Sequence, residues 1–157
     1  MILLDETFPT MGVKARLLAE YPDAFGEDRA REQLARARQC IETLAAQLTR
    51  FDPASELCAL NDDPAPGRRV SVALGSAVQS AVWAAERTGG LVDPTMVQAL
   101  LNGGYATSRA GMKPADLDAA LADAPPRAPA SPSPAAAWRA IGVSDGFQTV
   151  TRPPGLL

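Results

Sequence analysis

The sequence predicts an α+β fold, a sheet with helices packed on it. Three observations predict it. Apolar and charged residues alternate near the N-terminus. Two stretches further on carry apolar residues at helical spacing. Alternation then returns near the C-terminus around an Asp-Gly pair.

The first two elements are short strands, "MILLDETF" and "MGVKARLLA", with Pro9 between them. In the second, Val13, Ala15 and Leu17 alternate with Lys14 and Arg16, the period of a half-buried strand. "YPDAFGED" is a loop, and Asp28 is placed to cap a helix running to about Arg50. Its stripe is Leu34, Ala37, Ile41, Leu44, Ala45 and Leu48. Arg31, Arg36 and Arg38 fall largely off that stripe, as a solvated face does.

"FDPASELCALNDDPAPG" is a turn-rich connection broken at Asp52-Pro53 and Asp63-Pro64. Ser55 can cap a short turn through Leu60. A second helix is expected from about Leu74 to Arg87, with Leu74, Val78, Val82 and Ala85 inward. Gly89 suits the left-handed position just past its end. Asp93 and Pro94 read as an N-cap and a first helical residue, so a third helix would run from Pro94 to about Leu101. It would stop at Gly103-Gly104. "MKPADLDAALADA" reads as a fourth helix with Leu117, Ala120 and Leu121 inward. Residues 124–135 are a proline-rich loop or linker. "WRAIGVSDGFQTVTR" reads as a hairpin turning at Asp145-Gly146. The final "RPPGLL" looks like the entrance to a further strand, so residues 1–157 read as the N-terminal portion of one larger domain.

Composition excludes several chemistries. The chain has 157 residues, 46% hydrophobic and 21% charged, enough for a domain with a real core. Its net charge is −3, and no basic patch alternates with aromatics, so nucleic acid is not an expected partner. Histidine is absent, which removes Ser-His-Asp and Cys-His catalysis and every histidine metal site. Any metal would need oxygen ligands, as magnesium or calcium accept. Cys40 and Cys58 are spaced unlike a zinc motif and read as reduced small hydrophobes. No run approaches the ~20 apolar residues of a membrane span, and no secretory leader is visible, so the chain reads as cytoplasmic.

Three spaced signals carry more. "TFPTMG" occupies residues 7–12, "RFDPASELCALN" residues 50–61 and "TGGLVDPTM" residues 88–96. In this order they resemble the ApbE family, the FAD:protein FMN transferases once called thiamine-biosynthesis lipoproteins. The family's N-terminal half looks like an "MGT" on a strand, an aromatic, S-x-L-x-x-x-N-like spacing and then "GG-x-x-D-P-T". Met11-Gly12, Phe51, Ser55 to Asn61, and Gly89-Gly90 with Asp93-Pro94-Thr95 stand at those places. The resemblance covers nearly all of this chain and about half of a family member. "MGV" replaces "MGT", Phe51 stands for a tyrosine, and no tryptophan follows Asp93.

The resemblance implies transfer of FMN from FAD to a threonine of an acceptor protein, with magnesium against the pyrophosphate. It also implies the residues that line the FAD site: Met11, Phe51, Leu91, Val92 and Asp93, with Asn61 near the flavin nucleotide. A thioether and a ring offer polarizable surface to a planar heterocycle. An aspartate accepts hydrogen bonds from an adenine amino group or a ribose hydroxyl. Read singly, Met11 is a strand methionine, Phe51 the end of a helical stripe, Asp93 an N-cap and Asn61 a turn former. The family's metal ligands match positions beyond residue 157, so no complete Mg²⁺ site is expected here. Asp116, Asp118 and Asp123 read as one solvated helix face. Two other readings stay open: a metal-dependent FAD pyrophosphatase, in which water is the acceptor, and a non-catalytic flavin-binding or interaction module.

Overall fold

The computed structural model of the chain describes residues 1–109, 111–124, 126 and 129–153. It is α+β, as the sequence predicts, with its strands in two small antiparallel sheets. The chain divides into two compact units, Met1–Ala59 and Leu60 onward.

In the first unit, β1 (Ile2–Thr10) and β2 (Val13–Tyr21) form a hairpin in continuous register from Ile2–Tyr21 to Thr10–Val13. Met11 (φ 48) and Gly12 (φ 76) close it with positive φ at both central positions, the type I′ turn whose twist suits a hairpin. Pro9 lies inside β1, not between strands, and pairs with Lys14. The closing pair Thr10–Val13 exchanges the hydrogen bonds, so the next pair back does not. The N–H that proline lacks would therefore have faced the open edge, where its loss costs little.

A 3-10 turn over Asp23–Phe25 leads into α1 (Glu27–Leu48). Asp28 does not cap this helix. Gly26 (φ 85) takes the N-cap, and Glu27 and Asp28 fill the first turn, where carboxylates favour the helix dipole. Leu4, Ala30 and Leu34 form the core, with Ile2, Leu17, Ala19, Tyr21 and Phe25 packed around it. The stripe weakens toward the C-terminal end of α1, where Ala37 and Leu44 are exposed. Arg31 and Arg36 pair with Glu27 and Glu32 one turn back along the helix. They form the solvated face the sequence suggested. Ser55 caps α2 (Glu56–Asp62), its hydroxyl accepting from Cys58 N at 3.1 Å.

In the second unit, β5 (Thr149–Thr151) lies between β3 (Gly67–Arg69) and β4 (Gly142–Ser144), antiparallel to both. β4 and β5 are the expected hairpin. β3 was invisible in the sequence, because Gly-Arg-Arg carries no alternating pattern and becomes a strand only by pairing with β5. α3 (Val72–Arg87) packs on β4 and β5. It buries Leu74, Gly75, Val78, Val82 and Ala85, the predicted stripe plus one glycine. Ser71 caps it, accepting from Leu74 N at 3.2 Å.

Two later expectations need correction. The third helix, α4, spans Val97–Asn102, with Met96 rather than Asp93 at its N-cap position. The fourth, α5, is short (Leu117–Ala122), and Leu117 and Leu121 are exposed rather than inward. Asp116 serves as its N-cap, accepting from Ala119 N at 2.9 Å. Of the proline-rich stretch at 124–135, residues 125, 127 and 128 lie outside the described residues, as do 154–157, where a further strand was expected to begin.

Candidate functional site

The segment from Thr88 to Met96 is built by the end of α3. Thr88 is the C-cap, and Gly89 (φ 61) and Gly90 (φ 88) follow in the left-handed region. Gly90 N donates to Ala85 O at 2.8 Å and Gly89 N to Glu86 O at 3.2 Å. These are the paired bonds of a Schellman stop, which satisfy carbonyls the helix end would otherwise orphan. Gly90 is fixed a second way. A Cβ there would sit 3.2 Å from Trp138 Nε1 and 3.3 Å from Pro132 Cβ. The buried indole of Trp138 thus packs directly on the chain where the loop leaves the helix.

Two threonines then hold the loop. Thr88 Oγ1 donates to Ala84 O at 2.9 Å and accepts from Val92 N at 3.0 Å. Thr95 donates twice to one oxygen of Asp93: its N–H at 2.8 Å and its hydroxyl at 2.5 Å, both to Oδ1. Asp93 is therefore an Asx-turn residue and caps no helix. The helix begins three residues later because the chain spends Asp93, Pro94 and Thr95 on this turn. Sequence reasoning read Gly89-Gly90 as a helix stop but assigned no role to the Thr88 side chain, and Thr95 entered it only as a motif position. The signal available was a threonine two residues after an aspartate, the spacing of an Asx turn.

Within this segment Leu91 and Val92 are 58% and 47% exposed, and Asp93 is half-buried. Among the described residues nothing donates to Asp93 Oδ2. The loop offers two apolar side chains and one open carboxylate oxygen on adjacent positions. Asn61 also belongs to the second unit, half-buried on α2.

The remaining candidates belong to the first unit. Met11 stands at the hairpin turn, 71% exposed, which is not the buried strand position its surroundings suggest. Phe51 lies beyond the end of α1 with the Arg50 guanidinium 4.2 Å from its ring centre. The helix ends at Leu48, so Phe51 belongs to the loop rather than to the helical stripe.

No cluster of three or more His, Cys, Asp or Glu side chains suited to a metal occurs among the described residues. Asp118 and Asp123 are exposed at α5. Cys40 is exposed, Cys58 is half-buried, and neither is in a disulfide. No helix among the described residues is long and apolar enough to cross a membrane.

Comparison with known proteins gives two matches. Residues 11–140 match the family model described as "ApbE family". The fold matches the crystal structure of the ApbE protein from Thermotoga maritima with a TM-score of 0.68 at 16% identity. The match covers 99% of this chain and 46% of that one, so the chain spans under half the length of this solved structure. No curated protein sequence matches.

Proposed function

The chain belongs to the ApbE family, and from that premise we propose that, in the intact protein, it helps bind FAD for transfer of FMN to an acceptor protein. A threonine hydroxyl of the acceptor attacks the phosphorus on the FMN side of the pyrophosphate. The new phosphoester bond forms as the bond to AMP breaks, AMP leaves, and the threonine gives up its proton. This chain supplies binding surface rather than the reacting groups.

The observation that carries the reading is the Leu91–Asp93 loop, with two exposed apolar side chains beside an acceptor oxygen that no described residue occupies. Apolar surface suits a planar heterocycle, and a carboxylate oxygen suits an adenine amino group or a ribose hydroxyl. A carboxylate does not suit a bare pyrophosphate. In the first unit, taken by itself, Met11 has an exposed thioether and Phe51 a partly exposed ring, both chemically matched to a flavin or adenine face. Magnesium, which the family resemblance implies, would be held by ligands expected beyond residue 157, and no step above is routed through it.

The test uses the full-length protein with FAD, magnesium and a candidate acceptor domain. Mass spectrometry should find the acceptor heavier by one FMN less one water, on a threonine, with AMP released in equal amount. Free FMN forming at the same rate without acceptor would instead make the enzyme a pyrophosphatase. Binding without turnover in either assay would leave a flavin-binding module.

A further inference from the structure

We infer that Thr95 is a positioning residue: it occupies one oxygen of the Asp93 carboxylate and presents the other as the single acceptor for FAD. The inference rests on the reading that Asp93 contacts FAD, and deepens it. A carboxylate has about four lone-pair sites, two on each oxygen. Thr95 fills both sites of Oδ1, with its backbone N–H at 2.8 Å and its hydroxyl at 2.5 Å. What remains is Oδ2.

The local chain is stiff enough to make this a fixed arrangement. Pro94 locks its own φ and disfavours the helical region for Asp93 before it. Thr95 is β-branched, so its χ1, and with it the hydroxyl, has few alternatives. On the other side, Val92 N is tied to Thr88 Oγ1 at 3.0 Å. An aspartate free to rotate would have to be immobilised when ligand binds; this one is ordered beforehand.

The arrangement also restricts what Asp93 recognises. A carboxylate gripping a vicinal diol uses both oxygens, and here Oδ1 is already doubly occupied. Asp93 therefore accepts through Oδ2 alone, which fits one exocyclic amino group or one hydroxyl of the nucleotide.

The experiment is a double-mutant cycle on the full-length protein, reading FAD dissociation constants by calorimetry for Asp93→Ala, Thr95→Val, Thr95→Ser and the Asp93→Ala/Thr95→Val pair. Thr95→Val keeps the shape and the backbone N–H but removes the hydroxyl. It should weaken FAD binding by roughly 3- to 10-fold, the range expected when one side chain loses its prior ordering. Thr95→Ser should stay within about twofold of wild type, because the hydroxyl survives. Thr95→Val should add nothing in the Asp93→Ala background, since Thr95 acts only through that carboxylate. A threonine that merely stabilised the loop would weaken binding equally in both backgrounds, and that result overturns the inference. Unchanged binding in Thr95→Val, with Asp93→Ala weakened, also overturns it while leaving Asp93 as a ligand. Unchanged binding in Asp93→Ala removes both the inference and the reading beneath it.

Discussion

Leu4, Phe8, Ala30 and Leu34 are the buried apolar residues of the first unit; in the second, Leu60, Val70, Leu74, Val78, Val82, Ala85, Trp138, Ile141 and Val150 are buried. The first unit surrounds its small core with charge. Arg16 pairs with Asp5, Arg31 with Glu27, Arg36 with Glu32, and Arg38 with both Glu6 and Glu42. Arg38 also lies over the Phe8 ring, 4.8 Å from its centre. The second unit buries a charge instead. Arg152 is 3% exposed, and its guanidinium donates to the carbonyls of Asp63 and Pro153, both at 3.1 Å. Its Nε has no partner among the described residues, and burial lowers its pKa. The contrast teaches where each unit is fragile. The first depends on one hairpin and one helix with a small shared core and ion pairs within and between them, the second on close packing between segments distant in sequence.

The sharpest way to break the second unit is to add one carbon. Gly75 faces the β4–β5 loop, and a Cβ there would lie 1.8 Å from the Phe147 carbonyl oxygen. That loop cannot yield easily, since Asp145, Gly146 and Phe147 all have positive φ. Gly75→Ala, harmless on an exposed helix face, should therefore cost about 3 kcal/mol or more by overpacking. Chemical denaturation checks it, and a loss below about 1 kcal/mol would mean the loop and α3 are not held together as described.

Paired truncations compare the two cores directly. Leu74→Ala removes a side chain that is 2% exposed, against 9% for Leu34→Ala. Leu74→Ala should cost about 3–5 kcal/mol and Leu34→Ala about 2–3 kcal/mol, because the α1–hairpin core has fewer neighbours to leave stranded. Amide exchange assigns each loss to its unit: protection should fall in α3 for the first variant and in α1 for the second. The reverse order would invert the comparison.

What the sequence made legible follows the same division. α3 was readable because one amphipathic stripe, Leu74 to Ala85, decides its buried face. The β1–β2 hairpin was readable because both strands alternate, although Pro9 looked like a break until its pairing showed the missing donor at the open edge. β3 was not readable, since its pairing with β5 joins residues some eighty positions apart. The Asp93 turn was misread as a cap because aspartate serves both purposes, and the choice was made by Thr95 supplying two donors. Within the candidate site, residue identity could be read from the motif, but the state of each side chain could not. Exposure of Met11 depends on its place in the turn, and the anchoring of Gly90 depends on Trp138, which is far along the chain.

Acid sharpens the comparison further. Asp5 and Asp63 both have lowered pKa values, for different reasons. The Arg16 guanidinium, hydrogen bonded to it, holds Asp5 down. For Asp63 the largest cause is the hydrogen bond from Ala65 N at 2.9 Å, followed by Arg68. A lowered carboxylate stabilises the fold above its unfolded pKa, and that contribution is lost as pH falls through the unfolded and then the folded value. Both residues should therefore stabilise at neutral pH, begin to lose that contribution below about pH 4, and lose the rest as pH falls through their lowered folded values. Salt separates them, because it screens an exposed ion pair more than a backbone hydrogen bond. Carboxyl titration by NMR in low and high salt should return Asp5 most of the way to an ordinary aspartate value and move Asp63 less. Equal shifts would mean that Asp63 too is held mainly by charge.

The smallest effect tests whether the charged surface of α1 contributes at all. Glu32 and Arg36 pair at 2.6 Å with both side chains more than half exposed. Such i,i+4 pairs are worth about 0.3–0.5 kcal/mol at low salt. Glu32→Gln should cost no more than that, and nothing measurable in high salt. Glu6→Gln is the informative partner, because Glu6 joins the hairpin to α1 through Arg38 at 2.6 Å. Both variants remove one carboxylate facing one arginine. They differ in whether the pair joins two elements or only decorates one. A larger loss for Glu6→Gln, surviving in salt, makes the tie between elements the part of the charge network that matters. Equal and salt-sensitive losses would reduce the first unit's ion pairs to a solubilising coat, and leave its small apolar core as the whole source of its stability.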